Sequence, residues 1–398
     1  MPLKKKGRAG GREDSLMSAL PGYGVDRECW KCGGTWLVRR VGRRAMVRQA
    51  QREAGVLCKK VAKGEKSCGV CVGSGRLGVR AKSEAAGRVS KGPVEGGLNF
   101  VGPAPSPSAA STPLAGEDLC CISGRWRIFQ RQKGHRYSTE DVVTAWTALR
   151  AVGRPLRHVD LGCGVGSVLL FAAWRHHYEE NYRGLGIEAQ PDSWALAQRS
   201  IAWNGAKCEA LLGDFRRLSS GDDDDDEKDQ DLKERLDAFL SDDEACLLVT
   251  GTPPYYPVVH GSTTYGALPS CEQSAGARYE FRGGIEAYCQ AAAVLLRKHR
   301  HPSSRFVCCE GGLLGCVDAS RVDHAASDAG LTILSRRMVV GKIGKAPLFG
   351  VWVFALSSNM ASSTVSEILP TLIVRDERGQ RTPDYENLLR DMAMLPSS

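Results

Sequence analysis

Residues 159–166 read Val-Asp-Leu-Gly-Cys-Gly-Val-Gly, and this stretch decides the fold. An apolar strand runs into a turn with glycines at alternate positions, and the residues from Ser167 onward have the pattern of a helix. Glycine permits positive φ and lets the backbone approach a ligand closely, and the helix N-terminus adds backbone donors. The stretch is therefore typical of a site for a nucleotide-like cofactor. Its candidate binding residues are Asp160, Gly162, Gly164 and Gly166.

The surrounding pattern predicts a doubly wound α/β fold. Strands are predicted at 157–161, 184–188, 208–213, 246–251, 303–309, 331–340 and 348–356, and helices at 138–151, 167–178, 192–204, 231–240, 284–298 and 318–329. Strands and helices that alternate in this way build a parallel sheet. Only residues 341–347 separate the last two strands, so we expect an antiparallel hairpin at the sheet edge. The predicted fold class is a Rossmann-like sheet of seven strands.

Two further carboxylates end the second and third predicted strands. Glu188 comes about 22 residues after the last glycine of the turn, where a carboxylate can bind both ribose hydroxyls. Asp214 ends the third strand and is expected beside the adenine. The turn reads Gly-x-Gly-x-Gly, whereas a pyrophosphate-binding turn reads Gly-x-Gly-x-x-Gly. This difference favours S-adenosylmethionine, which has no pyrophosphate, over a dinucleotide.

A second turn follows the fourth predicted strand and contains the candidate catalytic residues. Transfer of a methyl group to an exocyclic amine requires acceptors that hold the amine protons and aim the nitrogen lone pair. Two prolines stiffen the turn, and an exposed aromatic ring can stack on a base. The residues with these properties are Thr252, Pro253, Pro254 and Tyr255.

Two Cys-x-x-Cys pairs lie in the N-terminal part of the chain. Four thiolates from two such pairs suit a tetrahedral structural Zn²⁺ site, and the second pair resembles the repeats of the DnaJ chaperone zinc domain. The arginines between the pairs recur every three to five residues, so they would lie on one face of a helix. That face would contact an RNA backbone. The alternative is two free thiol pairs in a disordered arm. The predicted zinc ligands are Cys29, Cys32, Cys68 and Cys71.

Charge and composition divide the chain. The net charge is +9, and residues 1–115 contain 22 Lys and Arg against 8 Asp and Glu. A basic arm on an acidic body indicates a polyanionic partner, most simply nucleic acid. The predicted organisation is a disordered basic tail at 1–25, the zinc arm at 26–80, a Pro- and Ser-rich linker at 81–118, and a catalytic domain at 119–395 with an acidic insertion at 217–230.

The apolar runs are shorter than the roughly 18–20 residues of a membrane helix. The N-terminal residues are basic without an apolar core after them, so they do not predict a secretory signal. Cysteines in apolar runs are then expected as reduced core residues. We expect no membrane contact and a cytoplasmic protein, with nuclear and organellar locations left open.

From about residue 120 to 395, the sequence resembles the tRNA adenine-N6 methyltransferases that modify valine tRNA beside the anticodon, within the group that carries an Asn-Pro-Pro-Tyr motif. The resemblance includes the two turns above and residues 132–138, 204–205, 277–280, 344–347 and 372–383. It implies a class I methyltransferase fold, S-adenosylmethionine as cofactor and RNA, most simply tRNA, as partner. It also implies that residues 132–138, with Lys133 and Arg136, fold over the methionine end of the cofactor.

The chain departs from that motif at Thr252, where the family has asparagine. Threonine lacks the amide oxygen, and its hydroxyl can donate as well as accept a hydrogen bond. Three interpretations remain open. The domain methylates adenine N6 in RNA, or it methylates another nitrogen such as one in a protein, or it is a catalytically silent module that binds RNA or a partner.

Overall fold

The structure is a computed structural model that describes residues 112–152, 157–219, 227–241, 245–258, 271–311, 317–361 and 363–395. It also describes the backbone of three two-residue strands, β1 (Glu28–Cys29), β2 (Leu37–Val38) and β3 (Arg88–Val89). The predicted tail, the side chains of the zinc ligands and of the arginines between them, most of the linker and the acidic run at 221–226 lie outside the described residues. The chain divides into two units, and the one formed by Ala81–Ser262 and Gly276–Ser398 contains the features below.

This unit is built on a nine-stranded sheet beside a small three-stranded sheet. The small sheet has the order β3-β4-β5, and the large one has the order β13-β11-β12-β10-β9-β6-β7-β8, with β14 paired to β11. The strands are β4 (Glu117–Cys121), β5 (Arg127–Arg131), β6 (Arg157–Leu161), β7 (Arg183–Glu188), β8 (Cys208–Leu212), β9 (Leu247–Gly251), β10 (Arg305–Gly311), β11 (Leu331–Val340), β12 (Pro347–Leu356), β13 (Glu367–Ile368) and β14 (Leu372–Ile373).

Helices cover both faces of the large sheet. They are α1 (Thr139–Ala151), α2 (Ser167–Arg175), α3 (Pro191–Asn204), α4 (Glu227–Phe239), α6 (Ile285–His299), α7 (Ala319–Ala329) and α8 (Pro383–Asp391), with 3₁₀ turns at Phe215–Leu218 and Ser357–Asn359. The short helix α5 (Glu272–Gly276) lies in the other unit except for its last residue. The central strands are buried along their length because helices pack on both sides, as parallel sheets require. Among the helices of the described ranges, none has the length and apolar character needed to cross a membrane.

The predicted fold class is confirmed. Strands β8, β7, β6, β9 and β10 are parallel neighbours in that order, and β12 and β11 follow as an antiparallel hairpin. This is the seven-stranded, doubly wound arrangement of class I methyltransferases, extended here by β13 and β14. The side chains of the zinc arm named with that fold class lie outside the described residues, so the zinc site stays a prediction.

Three of the predicted site segments meet because of the sheet register. Leu161, the last residue of β6, pairs with Ile187 on one side and with Gly251 on the other. The next residues along the three strands are Gly162, Glu188 and Thr252. Adjacent strands are about 4.8 Å apart. The glycine turn at 162–166, named the cofactor turn, therefore lies directly between Glu188 and the turn at 252–255, named the catalytic turn.

The body of the domain matches the predicted elements closely, but the hairpin β4–β5 and helix α8 were missed. Strand β4 begins at Glu117, inside the predicted linker. The residues of β4 alternate poorly between polar and apolar, and its partner strand β5 is held by helix α3. Ser200 Oγ accepts from the Phe129 amide, and Asn204 bonds both the amide and the carbonyl of Arg127. These long-range partners leave no local pattern in the sequence.

Candidate active site

A cavity that opens to solvent lies at the carboxyl edge of the sheet. This position is where doubly wound sheets bind ligands. It is lined by His135, Tyr137, Asp141, Gly162, Cys163, Gly164, Val165, Ser167, Glu188, Ala189, Gln190, Ser193, Asp214, Phe215, Thr252, Pro254, Gly276, Ala277, Arg282, Gly283 and Tyr288.

Glu188 and the glycine turn form one hydrogen-bonded unit. Glu188 Oε2 accepts from the amide of Gly164 at 2.8 Å, and Oε1 accepts from the amide of Gln190 at 2.7 Å. Gly162, Gly164 and Gly166 all have positive φ, at 59°, 58° and 84°. Burial raises the pKa of Glu188, while the two amides and the Arg282 charge act in the opposite direction. Each carboxylate oxygen keeps a further lone pair, which suits the two hydroxyls of a ribose.

Asp214 caps the 3₁₀ turn that follows β8, and Phe215 is the first residue of that turn. Burial opposes ionisation of Asp214, but the hydrogen bonds and charge of Arg216 outweigh it, so the pKa of Asp214 is lowered. Arg216 Nη2 donates to Asp214 Oδ2 at 2.6 Å. The carboxylate is therefore ionised, and the Phe215 ring beside it provides an apolar wall for a flat group such as adenine.

Tyr288 of α6 lies between the cofactor turn and the catalytic turn. It is buried, and its ring meets Phe215 edge-on with 4.5 Å between centroids. A Cβ atom on Gly162 would come within 2.4 Å of the Tyr288 hydroxyl oxygen, and one on Gly251 within 2.5 Å of the Tyr288 ring. Both strand ends therefore use glycine to make room for this side chain. Tyr288 fixes the separation between the two turns.

In the segment at 132–138, residues 132–134 form a turn, and two of the residues after it reach the cavity. His135 and Tyr137 line the cavity. Arg136 lies on the other side, where it donates to Asp118 Oδ2 at 3.0 Å and to the Cys120 sulfur at 2.8 Å. Lys133 is exposed and is not among the lining residues. Burial, with a contribution from Arg278, lowers the pKa of His135 against the opposing charge of Asp141, so this imidazole is neutral at neutral pH.

Asp141 joins this segment to the cofactor turn. Its Oδ2 accepts from the Ser138 amide at 2.8 Å in the capping box of α1, and its Oδ1 accepts from Ser167 Oγ at 2.5 Å. Ser167 is the first residue of α2. One buried carboxylate therefore fixes the start of two neighbouring helices at the cavity.

The catalytic turn leaves β9 and contributes Thr252 and Pro254 to the cavity wall. Tyr255 lies outside that lining. Its ring packs on Gly311 at the end of β10, where an added Cβ would come within 2.3 Å of the ring. The Tyr256 ring packs beside it at a tilt of 51°, with 5.0 Å between centroids, and the Tyr256 backbone forms hydrogen bonds with Arg278 and Glu280. The turn is thus fixed by aromatic packing and by pairing with the wall segment at 277–283.

Arg321 of α7 anchors that wall segment. Its guanidinium donates to the carboxylates of Glu280 and Glu286 at 2.6–3.1 Å and lies 3.5 Å from Glu310. Burial raises the pKa of Glu310 to about 8, although the Arg321 charge opposes the shift. The position of the wall segment at 277–283 therefore depends on the ion cluster that Arg321 forms with Glu280, Glu286 and Glu310.

Asp160 points away from the cavity into a buried polar chain. Thr250 Oγ1 donates to Asp160 Oδ1 at 2.6 Å, and His158 Nε2 lies 2.8 Å from the same hydroxyl. The other ring nitrogen of His158 lies 3.2 Å from the hydroxyl of Tyr182. Burial raises the pKa of Asp160 to about 7 and lowers that of His158 to about 3. This chain ties β6 to β9 beneath the two turns.

The structure therefore brings together some of the predicted site residues and separates others. The cavity contains Gly162, Gly164, Glu188, Asp214, Thr252 and Pro254. Gly166 lies behind the turn as the N-cap of α2, and Pro253 is buried beside the lining residue Pro254. The predicted residues Lys133, Arg136, Asp160 and Tyr255 lie outside the lining.

Several lining residues were missed from the sequence. Tyr288 falls on the apolar face of a helix, where nothing distinguishes it from a core residue. Asp141 had a signal, because it follows Ser138 by three residues as a capping-box acid, but that signal indicates only a helix start. Arg282 and Gly283 lie in a turn whose position depends on distant partners. Among the described residues, no group of three or more metal-ligating side chains is present.

No family model and no curated protein matches the sequence. Solved structures match with low identity. A predicted O-methyltransferase from Agrobacterium tumefaciens has a TM-score of 0.41 and 16% identity, over 64% of this chain and 97% of its own. The methyltransferase subunit of a type I restriction-modification system from Streptococcus thermophilus has a TM-score of 0.36 and 13% identity, over 67% of this chain and 54% of its own. The hMettl16 catalytic domain, solved with an RNA hairpin, has a TM-score of 0.38 and 9% identity, over 60% of this chain and 75% of its own. Since these TM-scores are below 0.5, the fold assignment rests on strand order and register.

Proposed function

We propose that the protein is an S-adenosylmethionine-dependent methyltransferase that modifies an exocyclic nitrogen, adenine N6 in RNA. The observation that carries the proposal is that Thr252 and Pro254 share one cavity with Gly162, Gly164 and Glu188. A cofactor site and a turn suited to a flat amine thus adjoin at the carboxyl edge of a doubly wound sheet.

The residues of the cavity fit this cofactor. Glu188 would accept hydrogen bonds from the ribose hydroxyls, and Asp214 with Phe215 would hold the adenine through a carboxylate and an apolar face. Gly164 leaves open space where any other residue would add a Cβ, with no heavy atom within 4 Å of that position. When bound, the cofactor supplies an electrophilic methyl group on a sulfonium. The carboxylates of Asp214 and Glu188 lie in the same cavity and make it suited to a ligand with a positive charge.

The catalytic turn positions the acceptor nitrogen. Within the described part of the chain, the Thr252 hydroxyl has no protein hydrogen-bond partner, so it is available to a substrate. A hydroxyl oxygen and a backbone carbonyl of the turn would accept the two amine protons and direct the lone pair toward the cavity. The prolines keep that geometry rigid. The Tyr255 ring, held on Gly311, would present its exposed edge to the base.

An RNA substrate is favoured over a protein by charge. Residues 1–115 contain 22 Lys and Arg against 8 Asp and Glu, and a basic arm of this kind is attracted to a phosphate backbone. We extend the proposal to tRNA because the turns resemble the family that modifies valine tRNA. The Zn²⁺ site at Cys29, Cys32, Cys68 and Cys71 belongs to the same proposal, as the staple of an RNA-binding arm. Zinc analysis of purified protein tests that part directly.

The test combines cofactor binding with labelling. Calorimetry with S-adenosylmethionine should give saturable binding, and methyl-labelled cofactor should transfer label to total tRNA with N6-methyladenosine in the digest. Glu188→Gln provides the control that should weaken both. Label that enters only protein extract would replace the RNA substrate with a protein nitrogen. Cofactor or RNA binding without any transfer would support the silent module, which the threonine at 252 favours as the second candidate.

A further inference from the structure

The same edge of the sheet carries an exposed cationic surface outside the cavity. It consists of residues 341–346, which connect β11 to β12, and residues 375–381, which follow β14; we name it the tip surface. The two loops form one unit, because the Ile343 amide donates to the Arg375 carbonyl at 2.9 Å and Arg375 pairs with Arg381. The two loops are therefore held together as one structured surface.

The sheet register puts the tip surface beside the catalytic turn. Phe349 near the start of β12 pairs with Gly311, the last residue of β10, so the hairpin connection extends past the carboxyl end of the sheet. Strand β14 reaches the same end by pairing with Val339 and Val340. Two to four strand spacings of about 4.8 Å separate β9, which Thr252 follows, from the strands β12, β11 and β14 that carry this surface, or about 10–19 Å. A polymer whose base enters the cavity would pass over it.

Charge on the tip surface is unbalanced. Its cationic residues are Lys342, Lys345, Arg375, Arg378 and Arg381, and its acidic residues are Asp376 and Glu377. Asp376 is engaged, since its carboxylate accepts from the Gln380 amide at 2.8 Å. Within the described ranges, Lys342, Lys345, Arg378 and Arg381 form no ion pair. Unpaired cations on one face attract a polyanion rather than a neutral partner.

An apolar residue is exposed in the middle of these cations. Ile343 is 41% exposed at the hairpin tip, where Gly344 with φ of 72° turns the chain. An exposed aliphatic side chain among lysines suits a sugar or a base face flanked by phosphates, because it adds apolar contact where the cations neutralise the backbone. It does not suit an acidic peptide, whose carboxylates would lie against that side chain.

We propose that the tip surface binds the phosphate backbone of the RNA substrate a few nucleotides from the modified base. This inference rests on the proposed function for the identity of the polymer. The tip surface fixes the register of the strand, and the cavity selects the base. Binding by cations of this kind is sequence-independent and weakens with salt, since each contact releases a counterion.

The test uses two triple variants of the full chain with the same change in charge. Lys342→Gln, Lys345→Gln and Arg378→Gln alter the tip surface. Arg175→Gln, Arg183→Gln and Lys298→Gln alter exposed cations at the opposite edge, because α2 and α6 end there and β7 begins there. The probe is a short fluorescein-labelled single-stranded RNA of mixed sequence, followed by anisotropy over a range of salt concentrations.

The tip variant should lose at least ~10-fold in RNA affinity, and the slope of log K against log salt should fall by about 2, at roughly 0.7 per phosphate contact. The opposite-edge variant should keep both values. Equal losses in the two variants, or an unchanged slope in the tip variant, would overturn the proposal. Calorimetry with S-adenosylmethionine checks that both variants remain folded. RNA bound through the tip surface without methyl transfer would sink the proposed function alone, and transfer with an unchanged KM in the tip variant would sink this inference alone.

Discussion

The cofactor end and the substrate end of the cavity are held by different physical means. At the cofactor end, backbone amides of Gly164 and Gln190 bind Glu188, and Asp141 joins two helix starts. At the substrate end, Thr252 has no protein hydrogen-bond partner among the described residues, and the turn is fixed by prolines and by aromatic packing on Gly311. The first end is organised by hydrogen-bonded carboxylates, and the second by aromatic packing together with the backbone pairing of Tyr256.

This difference indicates which substitutions each end tolerates. Buried hydrogen-bonded groups respond strongly to the loss of one partner, because the other partner is left unsatisfied. A hydroxyl that faces the cavity can be exchanged without leaving a buried group unpaired. A change at the cofactor end should therefore affect folding and cofactor binding together. A change at the substrate end should affect turnover alone.

The largest expected effect compares two glycines of the cofactor turn. Gly162 and Gly164 have the same φ, near 58°, so alanine adds about 1–2 kcal/mol of backbone strain at either position. At Gly162 the new Cβ also meets the Tyr288 hydroxyl at 2.4 Å, which should add about 1–3 kcal/mol. Gly162→Ala should therefore lower the free energy of unfolding, measured by urea denaturation, clearly more than Gly164→Ala does.

A double variant checks the cause. Gly162→Ala with Tyr288→Phe removes the clashing oxygen and should recover part of the lost stability. Equal losses for the two single alanine variants would show that Tyr288 does not occupy the space behind Gly162. Gly164→Ala has its own readout, since it should weaken S-adenosylmethionine binding in calorimetry while the fold persists.

Glu188 should give the next largest effect. Glu188→Gln keeps one acceptor oxygen but removes the charge, and a hydrogen bond to a charged group contributes about 1.5–3 kcal/mol. Cofactor affinity should then fall by about 10- to 100-fold. Asp214→Asn is the matched control, because Asp214 is partly exposed and engaged by Arg216, and its loss should be smaller. A larger loss at Asp214 would reverse the assignment of the ribose anchor.

The sequence was sufficient for the strands of the parallel sheet, the glycine turn and Glu188, because each depends on a local pattern of apolar, glycine or acidic residues. It was not sufficient for Tyr288 or for the position of Tyr255. Tyr288 lies on an apolar helix face, and Tyr255 packs on Gly311, which follows it by more than fifty residues. Contacts of that kind depend on the register of β9 against β10 and not on either segment alone.

In the segment at 132–138, the residues that line the cavity differ from those predicted to bind the cofactor. Lys133 and Arg136 were predicted at the cofactor, whereas His135 and Tyr137 line the cavity. Lys133 belongs to the turn before these residues, and Arg136 is held by Asp118 and Cys120. The motif therefore locates the segment but not the side chains that reach the cavity. Asp160 was also predicted at the cofactor but does not line the cavity. Successive residues of a strand point to opposite faces of the sheet, so a position near the end of β6 does not by itself bring a side chain into the cavity. The Asp160 carboxyl meets Thr250 instead of the cavity.

Thr252 tests the substrate end and should change turnover by a smaller factor. Thr252→Asn should preserve or raise the initial rate of methyl transfer to RNA, because it provides the amide oxygen typical of the motif. Thr252→Val has the same shape without the hydroxyl and should lower the rate about 5-fold, as expected for the loss of one hydrogen bond of about 1 kcal/mol. Cofactor affinity should stay unchanged in both. A loss in the asparagine variant equal to that in the valine variant would give the hydroxyl a role of its own.

The smallest effect concerns pH and the chain beneath the two turns. Burial raises the pKa of Asp160 to about 7, so the folded protein holds a proton that the unfolded chain has released above about pH 4. The stability contributed by this proton is complete below pH 4 and is lost as pH rises toward 7. Asp160→Asn keeps the acceptor for Thr250 but cannot ionise. Between pH 5 and 6, its unfolding free energy should fall less than that of the parent, by on the order of 1 kcal/mol. Glu310 titrates in the same direction in both proteins, so only the difference between them reports on Asp160. Parallel pH profiles would mean that the carboxylate is ionised in the folded state and that Thr250 and His158 stabilise its charge.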